Sequence, residues 1–125
     1  ELIKDLKART KDNSKLILTI ALSYGSQAEI AGSMRRIGEK VRAGEIEPED
    51  IDETMVARHL ETADLPDPDL LIRTSGEQRL SNFLLWQCAY TEFVFLDVLW
   101  PDFRKEDLIS AVEEFGSRNR RYGAI

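Results

Sequence analysis

At 125 residues and 42% hydrophobic content, the chain is long enough to bury a core and sits within the usual size of one globular domain, which excludes a disordered segment. Its net charge of −6 argues against general nucleic-acid binding, which needs a basic face, although a small anion needs only a local basic pocket. The single cysteine, Cys88, excludes an internal disulfide framework, and no uninterrupted apolar stretch is long enough to span a bilayer. These features predict a cytoplasmic setting in which any membrane contact is peripheral, at the inner face.

Leu2, Ile3 and Leu6 stand among charges over residues 1–12, as in the end of an amphipathic helix. Residues 15–23 are dense in Leu and Ile, which predicts a strand buried on both faces of a parallel sheet. Ile30, Met34, Ile37 and Val41 recur at helical spacing and predict a helix laid on that sheet, ended by Ala43-Gly44. Six acidic residues follow between Glu45 and Glu53, without the ligand order and central glycine of a calcium loop, so they read as a solvated capping segment. Ile51, Met55 and Leu60 suggest a short helix, and Pro66 and Pro68 bracket the entry to a second strand, residues 69–72. Residues 83–89 read as a helix, residues 93–96 as a third strand, and Leu108, Ile109, Val112 and Phe115 as the apolar stripe of a final helix. Alternation of this kind predicts an α/β fold with a largely parallel central sheet flanked by helices.

The most informative segment is Arg73-Thr74-Ser75-Gly76-Glu77-Gln78-Arg79-Leu80-Ser81-Asn82, directly after the apolar run Leu70-Leu71-Ile72. Each guanidinium is planar, permanently charged and presents its donors in a fixed fork, so two on one loop match the oxygens of a phosphate group. Gly76 lets the chain turn tightly between them. Ser81 and Asn82 precede Phe83-Leu84-Leu85-Trp86, where an N-cap belongs and where a helix start would offer free N–H groups to an anion. Ligands of parallel sheets sit beyond the carboxyl ends of the strands, and Arg73 falls at such an end. The same residue types also fit a purely structural arrangement, with Arg73 and Arg79 paired to carboxylates such as Glu77 and Ser81 serving as a cap.

Glu92 is the only charge between Cys88 and Leu96, and a carboxylate in apolar company is costly without a partner. A Mg²⁺ ion on a diphosphate would be one partner; an arginine of the loop, or water at a sheet edge, would be others. Arg118, Arg120 and Arg121 make a basic tail in an acidic chain, which a helix C-terminus favours by its dipole. His59 has no ligand partner at useful spacing, Cys88 reads as an ordinary buried thiol, and Trp86 and Trp100 read as packing residues.

The run from Asp69 to Phe103, DLLIRTSGEQRLSNFLLWQCAYTEFVFLDVLWPDF, resembles the C-terminal signature of the cis-prenyltransferases, the family of undecaprenyl diphosphate synthase or isoprenyl transferase. Upstream, Leu18-Thr19-Ile20-Ala21-Leu22-Ser23-Tyr24-Gly25 resembles a family strand that ends in asparagine, tyrosine and glycine, with Ser23 in place of the asparagine and Ser26-Gln27 where glycine-arginine is frequent. Arg121-Tyr122-Gly123 resembles the family's terminal Arg-x-Gly motif.

The resemblance implies that residues 1–125 are the C-terminal portion of a single cis-prenyltransferase domain. The family's Asp-Gly-Asn-Gly-Arg-Trp block, with its essential aspartate and allylic diphosphate site, is not among them, so no catalytic residue is expected in this chain and the fragment alone is expected to be inactive. The implied reaction is cis-prenyl elongation, condensing isopentenyl diphosphate with farnesyl diphosphate or a longer allylic diphosphate to give a product such as undecaprenyl diphosphate, a cell-wall lipid carrier. It assigns the isopentenyl diphosphate site to Arg73, Arg79, Leu80 and Ser81, the Mg²⁺ to Glu92, and to Arg121 and Gly123 a reach across a homodimer to the neighbouring subunit's substrate. Two alternatives stand beside it: a non-catalytic accessory subunit of a two-subunit cis-prenyltransferase, and an unrelated anion-binding α/β domain.

Overall fold

Two four-residue strands, β1 (Leu70–Arg73) and β2 (Glu92–Phe95), pair in parallel with Leu70 opposite Glu92 and Arg73 opposite Phe95. The computed structural model describes residues 1–118. Among the described residues the helices are α1 (Leu2–Thr10), α2 (Ser26–Arg42), α3 (Glu53–Arg58) and α4 (Lys105–Ser117), with single 3₁₀ turns at Pro48–Asp50 and Trp100–Asp102; α4 packs on β2 and α2 on α3. A parallel pair needs a crossover, and the segment between Thr74 and Thr91 supplies it, so both strands end on the same side of the sheet. That side carries Arg73.

Among the described residues the buried apolar ones are few: Ile37, Val56, Leu60, Cys88, Val94 and Ala111. Val94 of β2 and Ala111 of α4 mark the contact of sheet and last helix, while Ile37, Val56 and Leu60 mark that of α2 with the α3 region. The buried residues of α2 are Ser26, Glu29, Ser33 and Ile37, so the inward face keeps Ile37 of the expected apolar stripe but is rotated off Met34, which is 39% exposed. On α4 the inward residue is likewise Ala111, with Leu108, Ile109 and Val112 facing out.

Two predicted elements take another form. Residues 16–22 form no ladder among the described residues, and Leu16, Ile17, Leu18, Ile20 and Leu22 are all exposed. A strand buries both faces only where neighbours bond its edges and helices cover it, and β1 bonds only β2 here. Residues 83–89 make a series of turns instead of a helix, because Ser81, Asn82 and Leu84 have φ of 50°, 62° and 45°, outside the helical region. Trp100, expected in packing, is exposed and stacks on Phe103 with ring centroids 5.6 Å apart.

Candidate functional site

β1 ends at Arg73, and the loop that follows is stitched to the chain leaving β2. Leu96 N–H donates to Arg73 O at 2.8 Å, Gly76 N–H to Leu96 O at 3.0 Å, and Ser75 N–H to Val98 O at 2.9 Å. Ser75 and Gly76 both lie in the left-handed region, with φ of 71° and 65°, and a side chain at Gly76 would press on Asp97 Oδ1 at 3.1 Å. This turn therefore needs glycine, as the sequence suggests.

The turn folds the loop back over Arg73. Arg73 Nη1 donates to Arg79 O at 2.5 Å and to Ser81 Oγ at 3.2 Å. Both acceptors are neutral, so these bonds orient the guanidinium without cancelling its charge. Arg79, in contrast, forms an ion pair with Glu77, its side chain 63% exposed. Arg79 is thus paired locally with a carboxylate, as the structural reading of the loop expects, whereas Arg73 and Ser81 are hydrogen-bonded to each other at the strand end. Leu80, half-buried, lies between them and accepts from Phe83 N–H at 3.2 Å.

Asn82 does not cap a helix of its own. Its Oδ1 accepts from Gln27 N–H at 2.8 Å and its carbonyl accepts from Ser26 N–H at 2.8 Å, so it serves the first turn of α2 from across the fold. Ser26 Oγ in turn accepts from Leu85 N–H at 2.9 Å. One turn further along α2, the buried Glu29 carboxylate accepts from Tyr24 O–H at 2.5 Å, Glu61 N–H at 2.8 Å and Gln87 Nε2 at 3.3 Å. Burial and the Glu29 carboxylate both push the Tyr24 phenol up from its ordinary value, while burial pushes the Cys88 thiol up. An open cleft of about 800 Å³ lies beside Tyr24, Glu29, Arg35 and Phe83. Sequence reading missed this buried polar seam; the Ser26, Glu29, Ser33, Ile37 spacing was its available signal, since it puts three polar groups on the stripe that ends in Ile37.

Glu92 opens β2 opposite Leu70, three residue steps from the end of the sheet that carries Arg73, or about 10 Å at the rise of a parallel strand. Its carboxylate accepts from Arg118 Nη1 at 2.8 Å. Among the described residues, no three His, Cys, Asp or Glu side chains gather as a metal cage. A lone carboxylate of this kind could hold Mg²⁺ only with phosphate oxygens and water completing the ion's shell. Arg120, Arg121 and Gly123 lie outside the described residues.

A family model described as putative undecaprenyl diphosphate synthase matches residues 1–123. The chain belongs to this prenyltransferase family. A tritrans,polycis-undecaprenyl-diphosphate synthase (geranylgeranyl-diphosphate specific) of Methanocaldococcus jannaschii is 51% identical over 97% of the chain and 44% of its own length. A ditrans,polycis-undecaprenyl-diphosphate synthase ((2E,6E)-farnesyl-diphosphate specific) of Micrococcus luteus is 48% identical over 98% of the chain and 49% of its own length. Among solved structures, lavandulyl diphosphate synthase from Lavandula x intermedia, in complex with dimethylallyl diphosphate, superposes with a TM-score of 0.93 at 41% identity, covering 97% of the chain and 52% of that protein. A probable undecaprenyl diphosphate synthase from Campylobacter jejuni gives a TM-score of 0.78 at 34% identity, covering 97% and 54%. The chain thus spans about half the length of the undecaprenyl diphosphate synthases it matches. Its α/β fold, with a parallel sheet flanked by helices, is that of the family. Among the described residues, no helix is long and apolar enough to cross a membrane.

Proposed function

We propose that the whole protein is a cis-prenyl chain-elongating transferase that condenses isopentenyl diphosphate with an allylic diphosphate, farnesyl diphosphate or longer, and that residues 1–125 carry its isopentenyl diphosphate site. The observation that carries this reading is the convergence of Arg73 Nη1 on Arg79 O and Ser81 Oγ at the carboxyl end of β1. Arg73 holds the diphosphate with the donors left free by those two bonds, while Arg79 turns from Glu77 to the incoming anion, an exchange that an exposed surface pair permits. Ser81 Oγ and the backbone through Leu80 fix the direction of approach.

In the reaction so catalysed, the isopentenyl double bond attacks the allylic carbon as its bond to diphosphate breaks. Loss of a proton from the new chain leaves a cis double bond, and the released diphosphate carries the departing electron pair. Residues that hold isopentenyl diphosphate in one orientation convert this encounter to a unimolecular step. Glu92 is the residue we assign to Mg²⁺, which would neutralise diphosphate charge when bound.

We propose that Arg121 and Gly123 act across a homodimer on the neighbouring subunit's substrate, as the family resemblance implies. There the C-terminal segment of one copy serves the loop of the other, in the closed two-fold arrangement commonest among soluble oligomers. The product we propose is a polyprenyl diphosphate such as undecaprenyl diphosphate, a cell-wall lipid carrier, made at most in peripheral contact with the membrane.

The test is incorporation of labelled isopentenyl diphosphate into extractable lipid by the full-length protein, with farnesyl diphosphate and Mg²⁺. A Mg²⁺-dependent polyprenyl product supports the reading. No product from a folded, full-length protein overturns it in favour of an accessory subunit. Residues 1–125 alone are expected to give none.

A further inference from the structure

Asn82 belongs to the diphosphate loop by sequence and to α2 by contact. Its backbone, with φ of 62°, occupies the left-handed region, which costs most residues strain and which asparagine tolerates better than others. The carbonyl takes the Ser26 N–H at 2.8 Å and the side-chain Oδ1 takes the Gln27 N–H at 2.8 Å, so one residue satisfies two of the free donors that begin α2. The Nδ2 end of the same amide lies over Gly25, where a Cβ would meet it at 2.9 Å, closer than such atoms pack. Gly25 has φ of −151° and ψ of 120°, a conformation open to any residue, so the space taken by Asn82 is what calls for glycine there.

These contacts have a direct neighbour in the cradle. Ser81, immediately before Asn82 and itself at φ of 50°, presents Oγ to Arg73. Ser26, buried completely, accepts the Leu85 N–H at its Oγ, so the turn is held on both sides of Asn82. Release of Asn82 from α2 would let Ser81 Oγ and the nearby Arg79 carbonyl drift from Arg73, and with them the direction in which Arg73 presents its remaining donors.

We infer that Asn82, seated against Gly25 and locked to the first turn of α2, is a positioning residue that sets the isopentenyl diphosphate affinity of the Arg73–Ser81 loop without touching the ligand. This rests on the proposed reading of that loop as the isopentenyl diphosphate site. It also gives the Tyr24-Gly25 segment, which lies on the far side of the contact, a part in the same site. α2 acts as the fixed anchor, and the loop takes its shape from the helix start.

The test is steady-state kinetics and thermal melting of the full-length protein carrying Asn82→Ala, Asn82→Gly, Gly25→Ala, Asp52→Ala or Arg73→Ala. Asn82→Gly keeps the left-handed backbone free of strain and removes only the amide, while Gly25→Ala keeps the amide and displaces it. Asp52→Ala removes an ordinary cap, that of Asp52 Oδ1 on Met55 N–H at 2.7 Å in α3, and measures what loss of stability alone does. Both Asn82 variants and Gly25→Ala are expected to raise KM for isopentenyl diphosphate about tenfold, the scale of one misplaced hydrogen bond to a charged group, with KM for the allylic substrate and kcat little changed. Asp52→Ala is expected to lower the melting temperature similarly and leave both KM values alone. An unchanged KM for isopentenyl diphosphate in Asn82→Gly and Gly25→Ala, beside a raised one in Arg73→Ala, overturns the positioning role and spares the site. An equal rise in Asp52→Ala overturns it as general destabilisation. No rise in Arg73→Ala overturns the reading of the loop itself.

Discussion

Arg118, the residue that ends α4, closes on the Glu92 carboxylate at 2.8 Å and ties the last helix to the first residue of β2. The same guanidinium also binds Glu114, so it bridges two carboxylates. The Glu92 and Arg118 side chains are 28% and 31% exposed, enough shelter for the pair to outlast a wholly solvated one. One carboxylate cannot serve a guanidinium and a divalent cation at full strength together. Arg118 is therefore the competitor that any Mg²⁺ at Glu92 must displace.

Arg118→Met, which keeps the stem and removes the charge, is accordingly expected to lower the Mg²⁺ concentration for half-maximal activity of the full-length protein about fivefold, the equivalent of a partly sheltered ion pair. Glu92→Gln is expected to raise it by a similar or larger factor. A Mg²⁺ titration of product formation reads both. If neither variant moves the midpoint, Glu92 has no part in holding the metal.

Arg73→Lys is the sharper probe of the cradle. The guanidinium spends Nη1 on Arg79 O and Ser81 Oγ and keeps other donors for a ligand, a division of labour a single ammonium cannot reproduce in the same plane. KM for isopentenyl diphosphate should rise about tenfold, with KM for the allylic substrate unmoved, as expected for loss of one charge-assisted bond. Wild-type kinetics in the lysine variant would show that Arg73 acts as a point charge and not as a fork.

The shape of the loop after β1 was legible because its parts are local: an apolar run before Arg73, a glycine where φ is 65°, and a hydroxyl eight positions on. β1 and β2 were legible as short apolar runs, and α2 and α4 as helices from apolar periodicity, although the buried face of each helix differs from its apolar stripe. The helix over residues 83–89 was misread because Ser81, Asn82 and Leu84 take left-handed backbone whose support comes from Ser26 and Gln27, more than fifty residues away. The spacing of Ser26, Glu29, Ser33 and Ile37 signals the buried face of α2, but not the partners of the Glu29 carboxylate, because Glu61 and Gln87 are 32 and 58 residues distant and nothing in the local pattern pairs them. The segment 16–22 shows the remaining limit, since apolar composition states what a strand wants but not whether a neighbour is there to bond it.

The displaced face of α2 gives a direct stability test. Ile37 is 2% exposed and Met34 39% exposed, although both belong to the same apolar stripe in sequence. Ile37→Ala should cost about 2–5 kcal/mol in denaturant unfolding of the full-length protein, from lost transfer energy and the cavity left behind. Met34→Ala should stay within about 0.5 kcal/mol. Equal losses would mean that α2 turns its apolar stripe inward after all.

Tyr24 supplies a pH signature for the buried seam. Burial first, and the Glu29 carboxylate after it, raise the phenol above its ordinary 10.0, so the folded state holds the phenolic proton more tightly than the unfolded chain does. A group raised in this way contributes stability that is complete below the unfolded value and is lost as pH climbs through the folded one. Tyr24→Phe removes both the titration and the hydrogen bond to Glu29, so it should be less stable than wild type at neutral pH. The gap should then narrow as pH rises past about 10, because only the wild type loses the contribution of a protonated Tyr24. The buried Cys88 thiol, raised above its ordinary 9.0, adds a decline of the same sign at somewhat lower pH in both proteins and cancels from the difference. Chemical denaturation of the two full-length proteins at neutral and at alkaline pH reads this directly, and a gap that stays constant or widens would place the Tyr24 hydroxyl outside the Glu29 network.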